Sequence, residues 1–277
     1  MIQKIVCPTD FSSVASNAIE YAAKFANHAK AALTLLHVQK LGVGEGINLF
    51  AGGERESVHD ANMASRRLED ICLETKRTFN IECNFEIIGA TLESFVSVIA
   101  GESPKYDLTI IGTSGEDNIN QFYFGSHSYR VARMETGAII IVPEASEFTP
   151  INNLVVVADN NSPERLSFDH LKQFTRLFQP AIHVLYFSDS ENQYEQSAFA
   201  DFCNQFEEVF NNNKEIYFEK ITSENQALSL EIFAKKINAD MIALYMEENN
   251  PLIRMTREDL IQTVSATTNF PVFVFHK

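Results

Sequence analysis

Short apolar runs alternate with longer amphipathic stretches along the chain. The first half opens with an apolar run at 2–7, an amphipathic stretch from about Ser12 to His28, and a second apolar run at 31–38. Apolar runs of this length are typical of buried strands, whereas an apolar residue every three or four positions indicates a helix. The opening therefore predicts a strand, a helix and a second strand that lies parallel to the first.

The same pattern returns in the second half of the chain. Apolar runs at 152–157 and 181–187 flank a helix expected at 163–178, and the two openings align without a gap at an offset of 149. This alignment places Asp10 opposite Asp159. The repeat predicts two copies of one structural unit.

Later apolar runs of the two copies align at an offset of 133, so the second copy is 16 residues shorter. We expect the missing residues to fall after Val38, where the first copy has a glycine-containing loop at 40–53. The aligned runs are 106–113 with 239–246, and 138–142 with 271–275.

Each copy is predicted to contain five strands that alternate with helices. We therefore predict an α/β protein with two tandem, doubly wound, five-stranded parallel sheets and helices on both faces. The first domain is expected at 1–145 and the second at 151–277, joined by a polar, proline-containing linker at 144–152. The remaining helices are expected at 54–79, 91–102 and 125–136 in the first copy, and at 192–213, 224–237 and 255–267 in the second.

The charge of the chain argues against two classes of partner. With 37 acidic and 22 basic residues, the formal net charge is -15, which repels nucleic acid and anionic membrane surfaces. No apolar run approaches the ~18 residues of a membrane span, and the start lacks the apolar core of a signal peptide. We therefore expect a cytoplasmic protein.

The cysteines and histidines show no metal-binding spacing. The chain has no CxxC pair among its four cysteines and no HxH or HExxH pair among its seven histidines. We predict reduced, structural cysteines and no zinc, haem or flavin site. The cysteines are Cys7, Cys72, Cys83 and Cys203.

Glycine is confined to the first half, where all 11 glycines lie between Gly42 and Gly137. Ligands of open parallel sheets collect beyond the carboxyl ends of the strands. At that place glycine allows close approach of a ligand, and the free N–H groups of a helix start bind phosphate. Turn glycines with Ser126 as a helix cap are the alternative. The motif is Gly112-Thr113-Ser114-Gly115, nine residues, then Gly125-Ser126-His127-Ser128.

This spacing, G-2x-G-9x-G-(S/T), is the nucleotide signature of the universal stress protein family, which the chain resembles as a tandem of two copies. The opening Pro8-Thr9-Asp10-Phe11-Ser12 is also similar to the end of the family's first strand. The resemblance covers residues 1–143 and, more weakly, 152–276. It implies a Rossmann-like, adenine nucleotide alpha hydrolase-like fold and a stress-response or signalling module that binds ATP or AMP.

The resemblance also implies a role for individual residues. Phosphates would lie on the stretch from Gly115 to Ser128, main-chain groups near Val38 would hold the adenine, and Asp10 would reach the ribose or a phosphate-bound Mg²⁺. Asp10 as a simple cap of the helix near Ser12 is the alternative. The other expected contacts are Pro8, Thr9, Gly112, Thr113, Ser114, Gly125, Ser126 and His127, of which Thr9 and Ser114 are also typical turn residues.

One departure from the family pattern bears on the choice of nucleotide. Family members often have a basic residue after the second glycine, where this chain has Glu116 and Asp117. These carboxylates repel a triphosphate unless Mg²⁺ intervenes or they point away, and Arg130 and Arg133 follow only one to two turns into the predicted helix. The departure favours AMP, or no nucleotide, over ATP.

The second copy is predicted to keep the fold and to lack the ligand, because carboxylates replace most of the phosphate-binding residues. We also expect its phenylalanine stripe at 202, 206 and 210 to be core rather than a partner groove. The resemblance also implies that the strands at 138–142 and 271–275 pair edge to edge across a pseudo-twofold axis, so that one chain imitates the family's dimer. At an offset of 133, Gly112, Gly115, Gly125 and Ser126 align with Tyr245, Glu248, Glu258 and Asp259.

Three functions therefore compete on the sequence alone. The first is a binding or signalling module with an adenine nucleotide in the first domain and an unidentified protein partner. The second is a slow Mg-dependent ATPase that uses Asp10, although the chain has no GxxxxGK[ST] loop and no residue stands out as catalytic, His127 included. The third is a nucleotide-free scaffold. The sequence does not identify the stress signal, and it leaves further dimerisation open.

Overall fold

The computed structural model describes residues 1–39, 53–89, 105–113, 138–159, 168–188, 190, 192–213, 215–245 and 269–275. The predicted helices at 91–102, 125–136 and 255–267 lie outside these residues. None of the helices in the described part combines the length and the apolar character needed to span a bilayer.

The described strands form one ten-stranded sheet in the order β3-β2-β1-β4-β5-β10-β9-β6-β7-β8. The five strands of each half are parallel to one another, as predicted. In the first half they are β1 Lys4–Pro8, β2 Ala32–Gln39, β3 Cys83–Gly89, β4 Leu108–Thr113 and β5 Ala138–Pro143. In the second half they are β6 Asn153–Asp159, β7 Ala181–Phe187, β8 Ile216–Ile221, β9 Met241–Tyr245 and β10 Val272–Phe275.

The described helices cover both faces of this sheet. Four of them share one apolar core, and the fifth packs on a second core across the sheet. The first four are α1 Ser13–Ala29, α2 Gly53–Phe79, α3 Asp169–Phe178 and α4 Gln193–Val209, and the fifth is α5 Gln226–Lys236.

The strand registers repeat between the halves at the offsets found in the sequence. Lys4 pairs with Ala32 as Asn153 pairs with Ala181, both at an offset of 149. The offset is already 133 at the third strand, where Cys83 and Ile216 are equivalent. The deletion therefore lies between the second and third strands, as predicted. It shortens the intervening helix from 27 residues in α2 to 17 in α4.

The antiparallel pairing of β5 with β10 joins the two halves and confirms the predicted edge pairing. Ile140 pairs with Phe273, the residue equivalent to it in the repeat, so the pairing is symmetric about this position. Every residue of both strands is buried. The pairing removes two apolar edges that would otherwise be open to aggregation.

Aromatic side chains close the same junction on the helical face. Phe25 of α1 and Phe174 of α3 are equivalent in the repeat, and their ring centroids lie 6.3 Å apart. Phe148 lies in the predicted polar linker, yet its ring contacts Tyr21, Phe25 and Phe178 at centroid distances of 5.3, 5.9 and 6.3 Å. The linker is therefore packed against the domains it connects.

Two helix ends differ from the prediction. The helix expected to continue to residue 213 ends at Val209, because the asparagines that follow Phe210 favour caps and turns over a helix interior. The helix expected from Pro163 begins at Asp169, after the cap residue Phe168. The phenylalanine stripe of α4 is buried, which confirms the core interpretation: Phe202, Phe206 and Phe210 are at most 2% exposed.

Candidate functional site

The strand order of the first half reverses beside β1. The chain runs outward from β1 through β2 to β3 and then returns to β4 on the other side of β1. Ligand sites of open α/β sheets lie beyond the carboxyl ends of the strands at such a point. The described candidate residues lie at this edge: Pro8, Thr9 and Asp10 at the end of β1, Val38 near the end of β2, and Gly112 and Thr113 at the end of β4.

Thr9 is the buried anchor of the loop between β1 and α1, with a 3% exposed side chain. Its N–H donates to the carbonyl of Leu36 at 2.9 Å, and its Oγ1 accepts the N–H of Phe11 at 3.1 Å. His37 Nδ1 lies 2.8 Å from the Thr9 carbonyl, which only accepts, so this nitrogen carries the hydrogen. These bonds are the turn contacts considered for Thr9 as an alternative to a ligand contact.

Asp10 and Ser12 each accept one main-chain N–H at the start of α1. Ser12 is the N-cap, because its Oγ accepts the N–H of Ala15 at 3.1 Å. Asp10 Oδ1 accepts the N–H of Ser12 at 3.0 Å, one step before the helix. Asp10 is exposed, and its Oδ2 makes no hydrogen bond to the described residues. The cap is therefore Ser12, and the exposed Asp10 bonds to the start of the helix through Oδ1 alone.

Val38 turns its main-chain polar groups toward the space beyond β1. In β2, the Ala32 N–H donates to the carbonyl of Gln3, just before β1, and the Leu36 carbonyl accepts from Thr9, just after it, so alternate residues of β2 face β1. Val38 is the next residue in this series. Because β1 ends at Pro8, which pairs with Leu36, the main chain of Val38 faces the carboxyl edge rather than a strand.

The second half differs at the equivalent place. Val38 is equivalent to Phe187, and Phe187 lies opposite Asp159 in the ladder of β6 and β7. Asp159 is equivalent to Asp10, so β6 continues two residues further in the repeat than β1. In the second half β6 therefore continues to Asp159, whereas in the first half β1 ends at Pro8 and is followed by a loop.

Phe11, His37 and Arg67 form a cluster at the loop between β1 and α1 that no sequence motif predicts. Phe11 has a φ of 68°, and its ring centroid lies 4.6 Å from that of His37. The Arg67 guanidinium carbon lies 4.5 Å from the centroid of the Phe11 ring. Arg67 Nη2 also donates to the Phe11 carbonyl at 3.4 Å. Arg67 is on α2, far from the site in sequence, and no motif marks it.

Gly112 is required for the packing of α1 on β4. A Cβ built at Gly112 would lie 2.8 Å from both Cγ1 and the carbonyl oxygen of Val14, well inside van der Waals contact. The bare backbone at this position therefore allows close approach of a helix. A contact between Gly112 and a ligand stays a prediction.

Tyr245 takes the position of Gly112 in the second half. It is 3% exposed, and its ring lies 5.6 Å from that of Phe275. A helix placed as α1 is on β4 would collide with this side chain. The described helix α3 begins at Asp169, seven positions later in the repeat than α1 begins.

The remaining residues of the predicted signature lie outside the described part of the chain. They are Ser114, Gly115, Gly125, Ser126, His127 and Ser128, together with Glu116, Asp117, Arg130, Arg133, Glu248, Glu258 and Asp259.

Metal-ligand chemistry is sparse where the structure describes the chain. Across those residues no group of three or more His, Cys, Asp or Glu side chains converges. All four cysteines are free thiols, of which Cys203 is half-buried and the others are buried.

Comparison with known proteins places this geometry in a family. The sequence profile of the universal stress protein family matches residues 1–143. No curated protein sequence matches the chain significantly.

Solved structures of low identity share the fold over both halves. A universal stress protein from Archaeoglobus fulgidus has a TM-score of 0.74 at 14% identity, covering 99% of this chain and 98% of its own. A putative universal stress protein from Pseudomonas aeruginosa has a TM-score of 0.59 at 12% identity, covering 99% and 93%. The cytoplasmic domain of a prokaryotic cation chloride cotransporter has a TM-score of 0.53 at 11% identity, covering 99% and 94%.

Proposed function

Because the chain belongs to the universal stress protein family, we propose that it binds one adenine nucleotide at the carboxyl edge of its first half, beside β1, β2 and β4. The second half keeps the fold without a nucleotide. The chain then acts as a binding or signalling module whose state depends on the bound nucleotide.

One observation carries this proposal, the early end of β1. Since β1 stops at Pro8, the main chain of Val38 faces the edge, whereas its counterpart Phe187 lies opposite Asp159 in the sheet. A main-chain N–H and C=O that face a cleft can bond to the edge of an adenine base. Asp10 Oδ2 lies at the same edge and can accept a ribose hydroxyl or hold a phosphate-bound Mg²⁺.

Arg67 adds a positive charge to this edge of an otherwise acidic chain. The Phe11 contacts hold its guanidinium on the β1 to α1 loop, one residue along the chain from Asp10. An Arg at such a place favours a phosphate-containing ligand over an uncharged nucleoside.

Calorimetric titration of the nucleotide-stripped chain with ATP, ADP and AMP, each with and without Mg²⁺, tests the proposal. We expect one site per chain. Asp10→Ala should weaken binding about tenfold or more, the equivalent of about 1.4 kcal/mol or more for a lost charged hydrogen bond. The matched control, Asp159→Ala at the equivalent position, should change the Kd less than about twofold.

Each other outcome selects a different function. Two sites per chain would contradict a nucleotide-free second half. No heat with any nucleotide would contradict the proposal and favour a scaffold that works through protein contacts. Phosphate release from Mg-ATP that disappears in Asp10→Ala would favour the slow ATPase.

A further inference from the structure

Two buried thiols lie in contact at the outer edge of the sheet. The Sγ atoms of Cys72 and Cys83 are 3.3 Å apart, although the residues are 11 positions apart in sequence. Cys72 is on α2 and is 5% exposed, and Cys83 is the first residue of β3 and is 1% exposed. No spacing motif in the sequence marks this pair.

The fold explains why the two side chains meet. Helix α2 packs on β3, which is the outermost strand of the first half. The chain reverses between them in a short turn, where Asn80 adopts a left-handed φ of 52°. Cys72 lies almost two turns before the end of α2 and faces the beginning of β3.

The hydrogen-bond network gives the two thiols different roles. The Cys83 thiol donates to Cys72 Sγ, and the Lys76 ammonium lies nearby, so the pKa of Cys72 is lowered although burial opposes the shift. The same contact and burial raise the pKa of Cys83. The Cys72 thiol in turn donates to the Asn84 carbonyl at 3.3 Å. Cys72 is therefore the better nucleophile, and Cys83 is placed to attack it once it is oxidised.

We propose that Cys72 and Cys83 are an oxidation site, at which a small peroxide converts the two thiols into an intramolecular disulfide. The Cys72 sulfur attacks one oxygen of hydrogen peroxide, the O–O bond breaks, and a sulfenic acid and one water form. The Cys83 sulfur then attacks the Cys72 sulfur, the S–O bond breaks, and a second water leaves. Two thiols and one peroxide thus give one disulfide and two waters.

The geometry favours this intramolecular product over other thiol oxidations. A disulfide needs an S–S distance of about 2.05 Å, so the two sulfurs must approach by only about 1.3 Å. The product ties α2 to the edge strand, and α2 carries Arg67, which contacts the loop beside Asp10. The oxidation site does not depend on the proposed nucleotide site.

Mapping of disulfides in the full-length chain tests the inference. The reduced, folded chain is treated with hydrogen peroxide, then denatured, alkylated with N-ethylmaleimide and digested with trypsin. We expect peptide 68–76 linked to peptide 78–105, with both thiols protected from alkylation. The oxidised chain should also have a Tm several degrees above the reduced chain, because the crosslink restricts the unfolded state.

Four serine variants provide the controls. Cys72→Ser and Cys83→Ser should each abolish the linked peptides, whereas Cys7→Ser and Cys203→Ser should retain them. The inference is overturned if Cys72 and Cys83 of the folded wild-type chain remain open to alkylation after peroxide. It is equally overturned if the only disulfides involve Cys7 or join two chains through Cys203. The wild-type map decides the question even if a variant does not fold.

Discussion

Three polar residues in the loop after β1, Thr9, Asp10 and Ser12, have separate roles. Thr9 anchors the loop through its backbone and hydroxyl, Ser12 caps α1, and Asp10 bonds to the amide of Ser12 with only one of its oxygens. Because Ser12 caps the helix, Asp10 needs only Oδ1 to bond to the loop. Its second carboxylate oxygen, Oδ2, is not needed for the cap of α1.

Gly112→Ala tests the packing role of the glycine. The added Cβ meets a backbone oxygen of Val14, which cannot rotate away, so we expect a loss of about 1–3 kcal/mol in unfolding free energy. Urea denaturation measures this loss. Adding Val14→Ala should recover only part of it, because it removes the contact with Cγ1 and leaves the contact with the carbonyl. An unchanged midpoint for Gly112→Ala would contradict the close contact.

In each half, an aspartate carboxylate at the amino end of the sheet accepts two main-chain N–H groups. Asp107 Oδ2 accepts the N–H groups of Gln3 and Lys4 at 2.8 and 2.9 Å. At the equivalent place in the repeat, Asp240 Oδ2 accepts the N–H groups of Asn152 and Asn153, both at 2.8 Å. Asp107 lies directly before β4 and binds the start of the neighbouring strand β1. Asp240 lies directly before β9 and binds the start of the neighbouring strand β6 in the same way.

Asp107→Ala and Asp240→Ala should therefore destabilise the chain by similar amounts. Each leaves two main-chain amides at the start of a central strand without a charged acceptor, and partial exposure to water limits the cost to about 1–2 kcal/mol. Chemical denaturation of each variant gives the values. Asp201→Ala, an exposed aspartate of α4, is the control and should change stability by less than about 0.5 kcal/mol. An effect at only one of the two sites would show that the repeated geometry is not energetically equivalent.

At the scale of the whole molecule, symmetry and asymmetry lie in different places. The junction is symmetric, since Ile140 pairs with Phe273 and Phe25 contacts Phe174, each with its own counterpart in the repeat. The carboxyl edges are asymmetric. Gly112 of the first half is replaced by Tyr245 in the second, and the short β1 corresponds to the longer β6. Equivalent residues thus join the two copies at the junction, whereas the described ends of β1 and β6 differ.

Phe25→Ala should lower the stability of both halves together. The ring is fully buried and contacts Phe148, Phe174 and Phe178 across the junction, so its loss should cost about 3–5 kcal/mol. We expect one cooperative transition with coincident tyrosine fluorescence and far-UV circular dichroism, shifted to lower denaturant. Tyr194→Ala, a 77% exposed aromatic residue, is the control and should leave the midpoint unchanged. Two separate transitions, of which Phe25→Ala moves one, would contradict a shared junction.

Much of the architecture follows from local pattern. Apolar alternation and the two constant offsets predict the strands, the place of the deletion and the repetition of the strand registers between the halves, because equivalent residues in a repeat occupy equivalent positions in the sheet. Local pattern also predicts Asp10 and Gly112 near one edge, because the carboxyl ends of parallel strands meet there, and the family resemblance adds Thr9 and Val38. Helix ends are less certain, as α4 shows, because terminal residues exchange bonds with caps and turns.

Other features arise only when the elements pack together. The contact of Arg67 with Phe11, the contact of Cys72 with Cys83 and the approach of Val14 to Gly112 each join residues on different elements. Their distances depend on how a helix is placed on a sheet, and a shift of a few ångströms would remove all of them. Periodicity in one segment carries no information about that placement. The repeat and its strands were therefore readable from the residues themselves, whereas these three contacts were decided by packing in three dimensions.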